Sequence, residues 1–339
     1  MNDDLLLTRA AEIGGAIEED VAKVVVGQRR PIRLLLIAIL ARGHALLEGD
    51  VGIGKTTVLR AFARAIGGGF ARIEGSIDMM PGDLLYHTFI TEDGSPRVTA
   101  GPLIEHGESL AVFFFNEINR ARPQVQALLL RAMAERSVTA FNQTRRIPHL
   151  LVFADRNRVE KGETFELAAA ARDRFMMEIG IAAPVTDEDR ARLIFDPAYH
   201  DVETLLERCR PNLIDYRELE AIGSAIQRSV SASPTLQRYA LDLMRATERP
   251  QDFGVKLPGV NVAELVEAGA SPRGMSLMLR AARVHAFLDK RDHLVPQDLQ
   301  AVFQPTMVHR VFFSPVYEFE RQAIAPLFID EVLRCIAAP

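Results

Sequence analysis

The chain has 339 residues, room for a large core and about two domains. Hydrophobic residues make up 48% and charged residues 25%, ordinary for a soluble globular protein. A formal charge of −5 leaves no broad basic footprint, which disfavours nucleic acid as the main ligand.

The N-terminal stretch MNDDLLLTRA is acidic and has no signal-peptide core, and apolar runs such as 34–41 are too short to span a bilayer. Two cysteines without motif spacing, Cys209 and Cys335, read as reduced thiols, so the expected compartment is the cytoplasm. The eight histidines are scattered, with no pair at metal-ligand spacing.

Residues 5–24 predict a helix from their apolar spacing, and PIRLLLIAILARG predicts a second, with Pro31 where a first turn tolerates it. HALLEG reads as a short buried strand, and the segment 55–66 as a helix stopped by the glycines 67–69. YHTFITEDGSPRVTAG alternates around Asp93-Gly94, a hairpin signal. AVFFF is the continuous apolar run of a strand buried on both faces. Then come a helix over 123–135, a second hairpin in SVTAFNQTRRI around Asn142-Gln143, and a buried strand in HLLVFAD. Strands alternating with helices to about residue 180 imply an α/β fold, a parallel sheet with helices on both faces. At AAPVTDED the pattern turns helical, with Thr186 and Asp189 as a capping box and 248–260 as the one long loop. The expected division is an N-terminal helix, 1–24, an α/β core, 25–183, and a helical domain with a C-terminal tail, 184–339.

GDVGIGKT, 49–56, fits the phosphate-loop pattern G-x-x-x-x-G-K-[ST], between a strand and a helix. Gly49, Gly52 and Gly54 let backbone N–H groups wrap phosphates, and the following helix points its positive end at them. In this pattern Lys55 reaches the β- and γ-phosphates and Thr56 ligates magnesium. Val51 and Thr57 belong to the same nucleotide-binding set. The strand at 111–115 runs into Asn116-Glu117, where nucleoside triphosphatases normally carry Asp-Glu. The Asp steadies magnesium and the Glu activates water. Asn116 keeps one carbonyl acceptor but loses the charge, a loss on the order of 1 kcal/mol and roughly a fivefold weaker hold on the metal. The expectation is slow hydrolysis with a high magnesium requirement, which Asn116→Asp should lower.

Four more signals follow in order: Gly27-Gln28 in VVVGQRRPI, NEINRA after a strand, Asn157 in FADRN at the end of the next, and Arg273 at a helix start in ASPRGMSLMLRAARVHAFL. With VVGQ, the phosphate loop, EINRA, the stretch from ADRN to RDRF, and GASPRG…VPQDL, the chain resembles the MoxR family of AAA+ ATPases from about 25 to 304. The variant FFFNEINRARPQV is similar to the branch that accompanies bacterial methanol oxidation. The tail 305–339 matches nothing in that pattern.

The resemblance implies an AAA+ P-loop core with a helical lid, binding ATP or ADP and magnesium. Gly27 and Gln28 would lie by the adenine, Glu117 would orient the attacking water, and Asn157 would hold that water or the γ-phosphate. Arg273 would lean from the lid onto the phosphates, Asn116 and Thr56 would face the metal, and Arg174 of RDRF would be the arginine finger given to the next subunit, with Arg172 as its rival. The hairpins at 84–100 and 137–147 match family hairpins that face a ring pore; Arg145 and Arg146 read either as contacts for a substrate chain or as a solvated loop tip. Two departures stand out: ADRNR replaces the usual ATQNP, and ELAAAA, 166–171, replaces a run containing Pro and Glu.

By the same resemblance the chain is a hexameric motor that remodels or activates a client enzyme complex. It would work with a partner carrying a von Willebrand factor A domain, and in the methanol branch on the methanol dehydrogenase system, including metal insertion. Two other readings stay open: a nucleotide-sensing scaffold that barely hydrolyses ATP, and a chelatase-type motor.

Overall fold

The computed structural model describes residues 3–50, 52–156 and 165–339. The chain divides into two compact units, one of residues 12–174 and 179–220, the other of 1–11, 175–178 and 221–339. Among the described residues no helix is long and apolar enough to cross a membrane.

The first unit opens with Asp3–Val24 (α1) and Arg29–Leu40 (α2), then Ala45–Glu48 (β1), Lys55–Ile66 (α3) and Gly69–Glu74 (β2). A hairpin of Tyr86–Ile90 (β3) and Pro96–Ala100 (β4) precedes Leu110–Asn116 (β5) and Pro123–Glu135 (α4). A second hairpin, Ser137–Ala140 (β6) with Gln143–Arg146 (β7), leads to Leu151–Arg156 (β8), Ala169–Arg172 (α5) and Met177–Gly180 (β9). Asp187–Phe195 (α6) and Val202–Glu207 (α7) complete this part.

Five strands form one sheet in the order β2-β5-β8-β1-β9, and the β2–β5, β5–β8 and β8–β1 pairs are parallel. The three middle strands are buried up to their last residue, Leu110 to Phe115 in β5, Ala45 to Leu47 in β1, Leu151 to Asp155 in β8. That explains their unbroken apolar runs, since crossover helices cover both faces of a parallel sheet. The register pairs Phe115 with Ala154 and Leu47 with Asp155, so the carboxyl ends of β5, β8 and β1 stand side by side. Open α/β sheets bind ligands outside those ends.

The sequence pattern left out β2 and β9. β2 is a half-exposed edge strand carrying Arg72 and Glu74, so its apolar signal is weak. β9 is only four residues long. The β6–β7 turn is Phe141-Asn142, one residue earlier than the expected Asn142-Gln143. Ala140 pairs with Gln143, and both turn residues have positive φ, the geometry that two-residue hairpin loops favour. The Tyr86 and Phe141 rings meet at 4.7 Å and tie the two hairpins together.

The helical stretch that begins near residue 184 groups with the α/β unit as far as about 220. The text does turn helical at 184, and Thr186 caps α6 by accepting from the Asp189 N–H at 3.2 Å. Yet this helical stretch is bolted to the core. Arg60 of α3 grips Glu203 with two 2.7 Å bonds, Arg64 donates to the Cys209 carbonyl, and Asp20 of α1 holds the Arg210 guanidinium. Helical composition reports local structure; which core a helix joins depends on such contacts.

The second unit gathers Leu219–Ser229 (α8), Pro234–Glu248 (α9), Val262–Leu265 (α10), Pro272–Leu288 (α11), Pro296–Met307 (α12), Pro315–Glu318 (α13) and Arg321–Cys335 (α14). α11 packs on α12, and α14 on α9 and α12. The helices are joined by one short antiparallel pair, Val266–Ala268 (β10) with Phe312–Phe313 (β11). The tail beyond 304 is part of this lid, for α14 buries Ile324, Phe328, Ile329 and Val332 in it.

Candidate nucleotide site

The loop after β1 turns on glycines that other residues could not replace. Gly52 and Gly54 have φ of +80° and +87°, a region costly for side chains, and Gly54 caps the N-terminus of α3. A Cβ on Gly49 would sit 2.3 Å from the Ile181 carbonyl oxygen. The loop thus delivers Lys55, Thr56 and Thr57 as the first turn of α3, where free N–H groups and the helix dipole favour an anion. Val51 and Asn157 lie outside the described residues.

Lys55 is buried. Its ammonium donates to the Gly49 carbonyl at 2.8 Å and pairs with the Asp155 carboxylate at 2.7 Å. Asp155, at the carboxyl end of β8, has no exposed surface. Its second oxygen accepts from the Glu117 N–H. The Asn116 amide, with its NH₂ turned toward Asp155, lies 3.2 Å from both carboxylate oxygens; turned the other way, its carbonyl oxygen would face the carboxylate. So Lys55, Asn116 and Glu117 converge on one aspartate, to which its motifs HLLVFAD, FADRN and ADRNR gave no role. The available signal was a carboxylate gained on one strand end while an amide stood on another. Only the strand order makes them neighbours.

Glu117 sits at φ +54°, left-handed backbone that costs a non-glycine residue on the order of 1 kcal/mol. Its carboxylate is held by Arg120 at 3.0 Å. Gly75 makes room for this turn, since a Cβ there would lie 2.2 Å from the Glu117 carbonyl oxygen. Gly27, also at positive φ, packs against Pro184 and Asp189, and the buried Gln28 side chain donates to the Ala182 carbonyl. These two residues therefore stand against the exit of β9.

The oxygen donors here are the Thr56 hydroxyl, the Asp155 carboxylate and the Asn116 carbonyl. An all-oxygen set suits a hard cation such as magnesium. Such an ion would supply charge neutralisation to a bound triphosphate.

Arg174 is half-buried, and its guanidinium makes no hydrogen bond or ion pair to a described residue, whereas Arg172 is engaged within the chain. Arg273 belongs to the other unit, exposed in the first turn of α11 behind the Ser271 cap. Arg145 and Arg146 are exposed on β7.

The pattern of the ATPase family associated with various cellular activities matches residues 44–177, and that of the AAA lid domain matches 260–327. The chain is 55% identical over 336 residues to Protein MoxR of Methylorubrum extorquens, covering 99% of this chain and 98% of that one. It belongs to the MoxR family of AAA+ ATPases. Protein MoxR of Paracoccus denitrificans is 54% identical over 93% of each chain. Another MoxR relative, Chaperone MoxR1 of Mycobacterium tuberculosis, is 31% identical over 94% of this chain and 81% of its own. A crystal structure of a Cytophaga hutchinsonii protein superposes with a TM-score of 0.81 at 28% identity, covering 98% and 97% of the two chains. The lid match ends at 327, so it takes in most of the tail that the sequence motifs left unassigned.

Proposed function

We propose that this MoxR-family protein is a ring-forming, magnesium-dependent ATPase of the cytoplasm that remodels or activates a client enzyme complex. The observation that carries the reading is the phosphate loop with Lys55 at the head of α3, beside a strand that ends in Glu117. In it, Lys55 and the loop N–H groups bind phosphates, Glu117 orients and polarises the attacking water, and Arg174 of a neighbouring subunit offsets charge that grows in the transition state. A finger acts only across a head-to-tail interface, which closes into a ring, here taken as a hexamer. Arg174, without a partner among the described residues, supports this choice over Arg172, which is engaged within the chain. The name of the Mycobacterium tuberculosis relative supports a chaperone-like role. A partner with a von Willebrand factor A domain and a client in the methanol dehydrogenase system follow from the family resemblance, strengthened by the high identity to two proteins named MoxR.

The test is the ATPase rate of the parent, Glu117→Gln and Arg174→Ala at rising magnesium. Both variants keep ATP bound, Glu117→Gln stops turnover, and Arg174→Ala loses about 10³-fold or more. A parent rate no higher than that of Glu117→Gln, even with its partner present, favours the nucleotide-sensing scaffold. Asn116 and the tie between Glu117 and Arg120 speak for that second reading.

A further inference from the structure

The carboxylate that position 116 lacks stands one strand away. Phe115 and Ala154 are paired in register, and the next residues along β5 and β8 are Asn116 and Asp155. Asp155 has no exposed surface. A buried carboxylate loses hydration that an apolar side chain of similar size would not lose, and one cation rarely makes up the whole cost. Its partner is also a residue with another task. Lys55 is the cation that the phosphate loop presents to phosphates, and it has one ammonium to give. When Lys55 turns to a nucleotide, Asp155 is left as a buried carboxylate with, among the described residues, only the Asn116 amide and the Glu117 N–H. A second cation must then approach it, and the divalent ion that accompanies a nucleotide is the one at hand.

We infer that Asp155 supplies the metal-facing carboxylate of this site, relocated from the end of β5 to the end of β8, with Lys55 as its stand-in cation before nucleotide arrives. Asn116 is then an amide for a reason. An aspartate there would set a second carboxylate about 3.2 Å from the first, whereas the amide donates to both oxygens. The inference rests on reading this as a nucleotide site. It adds that the metal's charge partner is a residue outside the phosphate loop and outside the Asn116-Glu117 pair.

The experiment measures Mn²⁺ binding to the full chain saturated with ADP, by the electron paramagnetic resonance signal of free Mn²⁺, with metal-free ADP binding followed by calorimetry. It compares the parent, Asp155→Asn, and the transposed pair Asn116→Asp with Asp155→Asn, which keeps one carboxylate for Lys55 if the single variant does not fold. Asp155→Asn weakens Mn²⁺ about 10- to 100-fold while metal-free ADP binds at least as well, because Lys55 is released. The transposed pair regains most of the Mn²⁺ affinity. If Asp155→Asn binds Mn²⁺ like the parent, or if the transposed pair folds and binds ADP without regaining Mn²⁺, Asp155 is only a structural partner of Lys55 and the inference falls. A parent that binds no ADP at all would instead overturn the nucleotide-site reading itself.

Discussion

Asp155 in the first unit and Asp298 in the second, both without exposed surface, show how differently a fold can keep a buried charge. Asp298, in the first turn of α12, accepts from both terminal nitrogens of Arg291 at 2.5 and 2.6 Å, lies 2.7 Å from His285 Nδ1, and accepts from the Val295 N–H at 2.8 Å. Burial pushes its carboxyl up, but the Arg291 and His285 bonds outweigh that and hold it at about 2. Asp155 is held by a lysine, an amide and one backbone N–H. A guanidinium fork fixes a carboxylate in one geometry, while an ammonium on a flexible stem can let go. The lid thus has a permanent clasp and the nucleotide site an exchangeable one. His285, Asp289 and Asp298 lie close enough to hold a metal ion, yet the guanidinium already fills the Asp298 oxygens.

The sharpest way to break this contrast is Lys55→Ala. Nucleotide binding is expected to vanish, because no other described lysine stands at the loop, and the buried Asp155 left behind costs about 3–5 kcal/mol. Calorimetric titration with ATP and thermal denaturation read both effects. Tight ATP binding by this variant would remove the functional half of the contrast.

Asn116→Asp comes next. The expectation that it simply lowers the magnesium requirement took no account of Asp155. Two carboxylates about 3.2 Å apart in a poorly solvated site repel by on the order of a few kcal/mol, partly offset by Lys55. The variant is therefore expected to melt below the parent at neutral pH. Melting temperatures of the two proteins check this; an unchanged value would mean that 116 and 155 do not sense each other.

The smallest effect belongs to the clasp. Asp298 sits below its unfolded value, so its contribution is complete above the ordinary carboxyl pKa of 3.8 and is lost as pH falls toward about 2. The amount is about 2 kcal/mol. Asp298→Asn should lose stability near neutral pH, show a weaker acid limb, and leave ADP and Mn²⁺ binding unchanged. A fall in nucleotide affinity would deny that the clasp is purely structural.

Much of the fold was legible in order along the chain. The phosphate loop, the three buried strands, both hairpins and the Thr186 cap each declare themselves within a few residues, because glycine freedom, side-chain periodicity and capping are local. Glycines 49, 52 and 54 could be assigned from spacing alone, and the structure adds only what a side chain would strike. The edge strand β2 was not legible, since it is half-exposed and mixes charge with apolar residues. Nor was the core's reach to residue 220, which hangs on Arg60, Arg64 and Asp20 meeting residues more than a hundred positions away.

The sequence by itself determined the family, the phosphate loop and the puzzle of an amide before Glu117. Only the tertiary structure set that amide beside Asp155. β5 and β8 are separated in the chain by a helix and a hairpin, and they become neighbours through the sheet order β2-β5-β8-β1-β9. A residue's charge can be read from its letter. Whether that charge replaces another depends on distance in space, and here the distance is set by backbone hydrogen bonds between strands that are not consecutive.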